Sequence, residues 1–181
     1  DFLERIREFR FTELTPESEE DLVHGWTVLD DMLSTDFSKE NVWFGEYLCL
    51  GMRTDRWSLP SALLKAYVER RTREVMQEHK KAKLFRSEKM AIREDVTRKL
   101  KARTLPAAAV VDMVWNVERR EVRIWSKSAR AVEFFEGLFE STFGLRLVGE
   151  SPYVAALNCG LDDEFVGRLA EVEQARFTSF E

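Results

Sequence analysis

Four aspartates, Asp30, Asp31, Asp55 and Asp112, are the side chains best placed by type for catalysis. Carboxylates that converge can hold one or two Mg²⁺ ions, the heart of a metal-dependent nuclease. Asp112 falls in mid-strand and Asp55 near a strand end, yet no lysine stands at a diagnostic interval from them. His24 and His79 lie in different segments, with no cysteine or carboxylate at metal-ligand spacing. The sequence holds no Gly-x-Ser-x-Gly, no glycine-rich phosphate loop and no Cys-x-x-Cys, and only 8 glycines in all. The expectation is a protein that is not an enzyme and carries no metal or cofactor.

The stronger chemical signal is ionic. Residues 65–103 hold 14 Lys or Arg against 6 Asp or Glu, a local net charge of +8 in a chain whose total is −5. The other 142 residues therefore carry −13. Positive charge concentrated inside an acidic protein is the footprint of a polyanion partner. The candidate phosphate contacts are Lys65, Arg70, Arg71, Arg73, Lys80, Lys81, Lys83, Arg86, Lys89, Arg93, Arg98, Lys99, Lys101 and Arg103. The competing account is a solvated helix face, in which Glu74, Glu78 and Glu94 pair with basic neighbours three or four positions away. A second binding element is aromatic. Trp43, Trp57, Trp115 and Trp125 lie in or beside strands, and an exposed ring among basic side chains can stack on single-stranded bases. Trp125 shares the polar register of its strand with Glu121 and Arg123, so it is the one expected to be exposed.

These side chains need elements to position them. Asp1 to Glu8 reads as the tail of a helix, and Thr15-Pro16-Glu17 as a helix start of no more than one turn. Gly25–Leu29 and Val42–Trp57 read as strands joined by a loop over 30–41. Ser58-Leu59-Pro60-Ser61 opens a long helix with a stripe at Leu64, Tyr67, Val68, Arg71 and Val75. The helix breaks near Lys83–Arg86, and Ser87 reads as the cap of a second helix with a seam at Ile92, Val96, Leu100 and Arg103, closed by Pro106. Val110–Asn116 and Glu121–Trp125 form a β-hairpin. Ser128 caps a helix to about Thr142, with Phe134, Phe135, Leu138 and Phe139 inward and Gly144 as its stop. A strand at Leu145–Val148, an extended stretch at Val154–Leu157 and a helix from Asp163 to about Arg176 complete the chain.

Short connections between consecutive strands predict an α+β fold with antiparallel sheet elements. The segments are 1–57 (αβ), 58–106 (basic helices) and 107–181 (ββαβα), which can make one continuous domain. At 181 residues, 44% hydrophobic and 34% charged, the composition is that of a globular chain, with no apolar run long enough to span a membrane. The two cysteines, Cys49 and Cys159, fit a reducing cytoplasm.

The order of motifs resembles the RdgC family of recombination-associated proteins. It begins with Gly25-Trp26 and continues through Leu59-Pro60-Ser61-Ala62-Leu63-Leu64-Lys65 at the head of a charged helix. Arg86-Ser87-Glu88-Lys89 and Ile92-Arg93-Glu94-Asp95-Val96 follow, then Leu105-Pro106, Val114-Trp115-Asn116, Ser126-Lys127-Ser128-Ala129 and Phe143-Gly144-Leu145. The similarity covers about residues 24–150. The family's Leu-Leu-Pro-Arg-Ala-Phe segment reads Thr104-Leu105-Pro106-Ala107-Ala108-Ala109 here, and its N-terminal strand has no counterpart, so a segment before Asp1 is expected. The resemblance implies a divergent bacterial, nucleoid-associated homodimer that binds single- and double-stranded DNA without sequence preference and restrains RecA-type strand exchange. The alternative is a protein-interaction module whose basic helices dock on an acidic partner.

Overall fold

The computed structural model describes residues 1–18 and 20–171. They fall into two compact units, Asp1–Leu145 and Arg146–Glu181. The first holds α1 (Phe2–Glu8), β1 (Leu22–Thr27), α2 (Lys39–Val42), β2 (Trp43–Phe44) and β3 (Tyr47–Arg56). It continues with α3 (Ser61–Glu78), α4 (Arg86–Lys101), β4 (Ala107–Asn116), β5 (Glu121–Ile124) and α5 (Ala129–Phe143). The strands make one antiparallel sheet in the order β1-β3-β4-β5, with β2 folded onto β3. The α+β expectation holds. Strands from both sides of residues 58–106 pair in this sheet, and the division falls after Leu145, inside the segment read as 107–181.

Period-two alternation gives the sheet a packed face. Leu48, Leu50 and Met52 of β3 stand in register with Trp115, Met113 and Val111 of β4, and Met52 with Trp26 of β1. Helix α5 lays Phe135, Phe139 and Phe143 against that face. Trp115 lies 5.1 Å from both Phe139 and Phe143, and Trp26 5.8 Å from Phe135, all edge-to-face. The one polar atom of Trp26 is satisfied inside this cluster, its Nε1–H donating to Thr142 Oγ1 at 2.8 Å. The Thr142 hydroxyl donates in turn to the Leu138 carbonyl at 2.7 Å. Ser128 accepts from Ala131 N–H to start α5, and Gly144, at φ +67°, stops it as the sequence predicts.

Gly25 is fixed by close approach. Arg10 bridges Trp26 in parallel, with Phe11 N–H donating to the Trp26 carbonyl and Trp26 N–H to the Phe9 carbonyl. A Cβ on Gly25 would stand 2.5 Å from Phe11 Cα, so only glycine admits the crossing.

Several elements differ from the sequence reading. The first strand runs Leu22–Thr27, not 25–29, because it pairs rung by rung with Arg56 back to Gly51. The long strand over 42–57 is two. Gly45, at φ +64°, makes a two-residue turn that folds β2 back on β3. The loop over 30–41 closes in α2, where Asn41 Oδ1 accepts from Ser38 N–H at 2.9 Å. The cap of α4 is Phe85, not Ser87, which lies inside the helix. Residues 145–148 form no strand, and Val154–Leu157 belongs to a helix.

Among the described residues the second unit holds two helices, α6 (Pro152–Asn158) and α7 (Asp163–Ala170), with Ala156 and Val166 buried. Ser151 and Asp162 cap them by accepting from Val154 and Phe165 N–H. Ser before Pro is a helix start, and here it prevails over the apolar run that reads as extended. Residues 172–176 of the expected last helix lie outside the described residues. No described helix is long and apolar enough to cross a membrane.

Candidate nucleic-acid interface

Helices α3 and α4 form an antiparallel hairpin with a small core of its own. Leu84, Ile92, Val96 and Leu100 are buried, and Leu59, Leu64, Val68, Val75 and Met76 pack against them. This is the stripe-and-seam arrangement read from the sequence, with two departures. Tyr67 sits on an exposed edge, and Arg103 lies beyond the end of α4 in solvent.

A core so narrow leaves most of both helices to charged side chains, and ion pairing divides these into two groups. Lys65 meets Glu69, Arg70 and Arg71 share Glu74, and Arg71 also reaches Glu78. Lys81 is paired with Glu88, and Arg98 and Lys99 share Asp95. Hydrogen bonds from Arg71 and Arg70 hold the Glu74 carboxyl below its usual range, and Lys99 and Arg98 do the same for Asp95. Glu74 thus pairs at the expected spacing. Glu78 finds Arg71 seven residues away, and Glu94 has no ion-pair partner among the described residues.

Lys101 has a different role. Its side chain is only 8% exposed, its ammonium is 2.7 Å from Asp21 and 5.7 Å from the centre of the Trp57 ring, and Trp57 N–H donates to the Asp21 carbonyl. The ammonium fastens the root of the hairpin to the strand region, and its burial removes it from the candidate phosphate contacts. This is a correction to the sequence pool.

Seven of the 14 candidates remain with no carboxylate partner among the described residues: Arg73, Lys80, Lys83, Arg86, Lys89, Arg93 and Arg103. All seven are exposed. Arg86, Lys89 and Arg93 fall at i, i+3 and i+7, one side of α4. Lys89 and Arg73 of α3 line an open groove of about 460 Å³ together with Val68, Glu69 and Thr72. Lys80 and Lys83 occupy the connection between the helices, at the tip. Sequence reasoning pooled all 14. Acid spacing is a partial signal: Asp95 sits three and four residues before Arg98 and Lys99, and Glu74 three and four after Arg71 and Arg70, but Lys81 and Lys101 pair with carboxylates farther off in the chain.

The aspartates do not converge. Asp55 is buried and held by Arg53, whose guanidinium donates to both carboxylate oxygens at 2.8 and 2.7 Å while its carbon lies 4.3 Å from the centre of the Phe11 ring. Asp112 pairs with Gly51, four residues along β3 from Asp55, a separation of about 13 Å. Asp31 binds the Leu33 N–H in its own loop. No group of three His, Cys, Asp or Glu able to hold a metal occurs among the described residues. The aromatics divide as well. Trp57 and Trp115 are buried and Trp43 is half-buried, whereas Trp125 is 61% exposed, on the sheet face opposite α5 with Phe44 and Tyr47. His24 stacks on Phe134 at 5.1 Å with no partner for Nδ1 among the described residues, and burial holds its pKa below the ordinary value against the opposing charge of Glu20. Both cysteines are free thiols. Compared with known proteins, the chain matches no protein-family model and no curated relative.

Proposed function

We propose that this protein binds DNA without sequence preference by seating phosphates on the α3–α4 hairpin. The observation that carries the reading is the set of seven exposed cations with no carboxylate partner among the described residues. An ion-paired cation must surrender its partner before it meets a phosphate, whereas an unpaired one gains the contact and releases a counterion outright. No side chain of the hairpin is assigned to read base edges. The resemblance to RdgC proteins extends the proposal to a bacterial, nucleoid-associated homodimer that acts in recombination or replication and restrains RecA-type strand exchange.

The test is binding to random-sequence duplex and single strands across a salt series, with and without Mg²⁺. Seven phosphate contacts give a log–log slope of about −6 on duplex. Replacing Lys83, Arg86 and Lys89 together by Glu lowers affinity at least 100-fold and flattens the slope by about 3. An unchanged slope in that variant removes the hairpin as the site. A salt-sensitive oligomer with no DNA affinity turns the reading to docking on an acidic protein, and DNA loss on adding Mg²⁺ turns it to a nuclease.

A further inference from the structure

At the tip of the hairpin the side chain of Phe85 is turned out to solvent, 74% exposed, while its neighbour Leu84 is buried at 4%. An exposed phenylalanine alone means little. This one occupies the N-cap of a 16-residue helix, where Ser, Thr, Asp or Asn would accept a hydrogen bond from the first turn. The duty of tying down the helix start passes to Glu88, whose carboxylate accepts from Phe85 N–H at 2.8 Å and is itself held by the Lys81 ammonium. That arrangement fixes the backbone beneath the ring. The connection also holds Lys80 at φ +50°, a conformation that non-glycine residues adopt rarely. Near Phe85 in the chain are Lys80, Lys83 and Arg86, all exposed and none paired with a carboxylate among the described residues. An outward aromatic ring on a fixed backbone, with cations on both sides in the chain, fits a base stacked on the ring while its flanking phosphates meet the cations.

We infer that Phe85 stacks on an unpaired nucleobase of the bound strand, and so supplies a base-dependent part of affinity that the phosphate contacts do not. The inference rests on the hairpin being the DNA-binding element. The tip therefore favours single-stranded or locally opened DNA, while the sides of the hairpin are indifferent to strandedness.

The test uses the full chain and two oligonucleotides of equal length and charge, oligo-dT and its abasic analogue. The expected result is that the wild-type protein binds oligo-dT about tenfold more tightly than the abasic strand. Phe85→Ala brings the two affinities together, leaves the affinity for the abasic strand and the salt slope unchanged, and Phe85→Trp restores the ratio. Phe85→Ser supplies the preferred cap, so it raises the thermal midpoint while losing the ratio, the opposite of what a packing role gives. If Phe85→Ala keeps the wild-type ratio with normal binding, the stacking inference is overturned and the hairpin reading stands. If the wild-type protein binds neither strand, both fall together.

Discussion

The sheet and the hairpin of the first unit hold themselves together by different means. The sheet closes on a dense aromatic cluster in which Trp26, Trp115, Phe135, Phe139 and Phe143 bury one another, and its one indole hydrogen bond goes to an equally buried Thr142. The hairpin has four buried apolar side chains along a single seam, and most of the charge of residues 65–103 lies on the rest of its surface. Exposed ion pairs contribute little, typically under 1 kcal/mol each, so those around Glu74 and Asp95 stabilise the hairpin only weakly. What they do is decide which cations are already occupied. Stability and charge display have been allotted to different regions, and each can be altered without the other.

Excision separates them most strongly. The register sets Arg56 opposite Ala107, so residues 59–104 replaced by an Asn-Gly turn leave β3 and β4 correctly joined. The shortened protein keeps a cooperative thermal transition with native near-ultraviolet dichroism, and its DNA affinity falls more than 100-fold in a retardation assay. Retained affinity would break the comparison.

Core truncations sharpen it. Trp26→Ala costs about 4 kcal/mol in urea unfolding, and Ile92→Ala about 2 kcal/mol. Hydrogen exchange tells where the loss falls. Trp26→Ala speeds exchange in the sheet and α5, whereas Ile92→Ala speeds it in α3 and α4 alone. Uniform acceleration by Ile92→Ala would mean that the two regions unfold as one.

A smaller effect depends on pH. The fold keeps His24 neutral to a lower pH than the unfolded chain does, because burial disfavours its cation more than Glu20 favours it. The unfolded state therefore takes up the proton first, and stability is full above about pH 6.5 and declines as the pH falls below it. His24→Phe removes that part of the decline, read from urea midpoints between pH 7 and pH 5. A profile unaltered by the substitution would put His24 outside the acid response. The smallest effect is a gain. Glu74→Gln releases Arg70, leaves Arg71 on Glu78, raises DNA affinity about twofold at low salt, and leaves the urea midpoint where it was.

How much of this was legible in the sequence follows from the range of the interactions involved. The hairpin apart from the start of α4, the β4–β5 turn, and α5 with its Ser128 and Gly144 ends are set by periodicity and local caps, and they stand where the spacing puts them. The charge excess of 65–103 was equally plain. Features that depend on distant partners were not. Gly25 matters because Arg10 and Phe11 cross it, and Asp55 looked catalytic because Arg53 and Phe11 could not be placed around it. Lys101 read as one more surface lysine, since its partner Asp21 is 80 positions away. Trp125 was the exception, since strand alternation alone marked it as exposed.

The pairing of Arg56 with Ala107 also has a mechanical side. The hairpin leaves the sheet and returns to it on adjacent strands, so a pull on the tip reaches β3 and β4 at the same end. Their ladder is loaded as a zipper, rung after rung, rather than in shear where all rungs would resist together. Lys101, Asp21 and Trp57 sit beside that first rung, and a load on the tip would be felt there before anywhere else in the sheet.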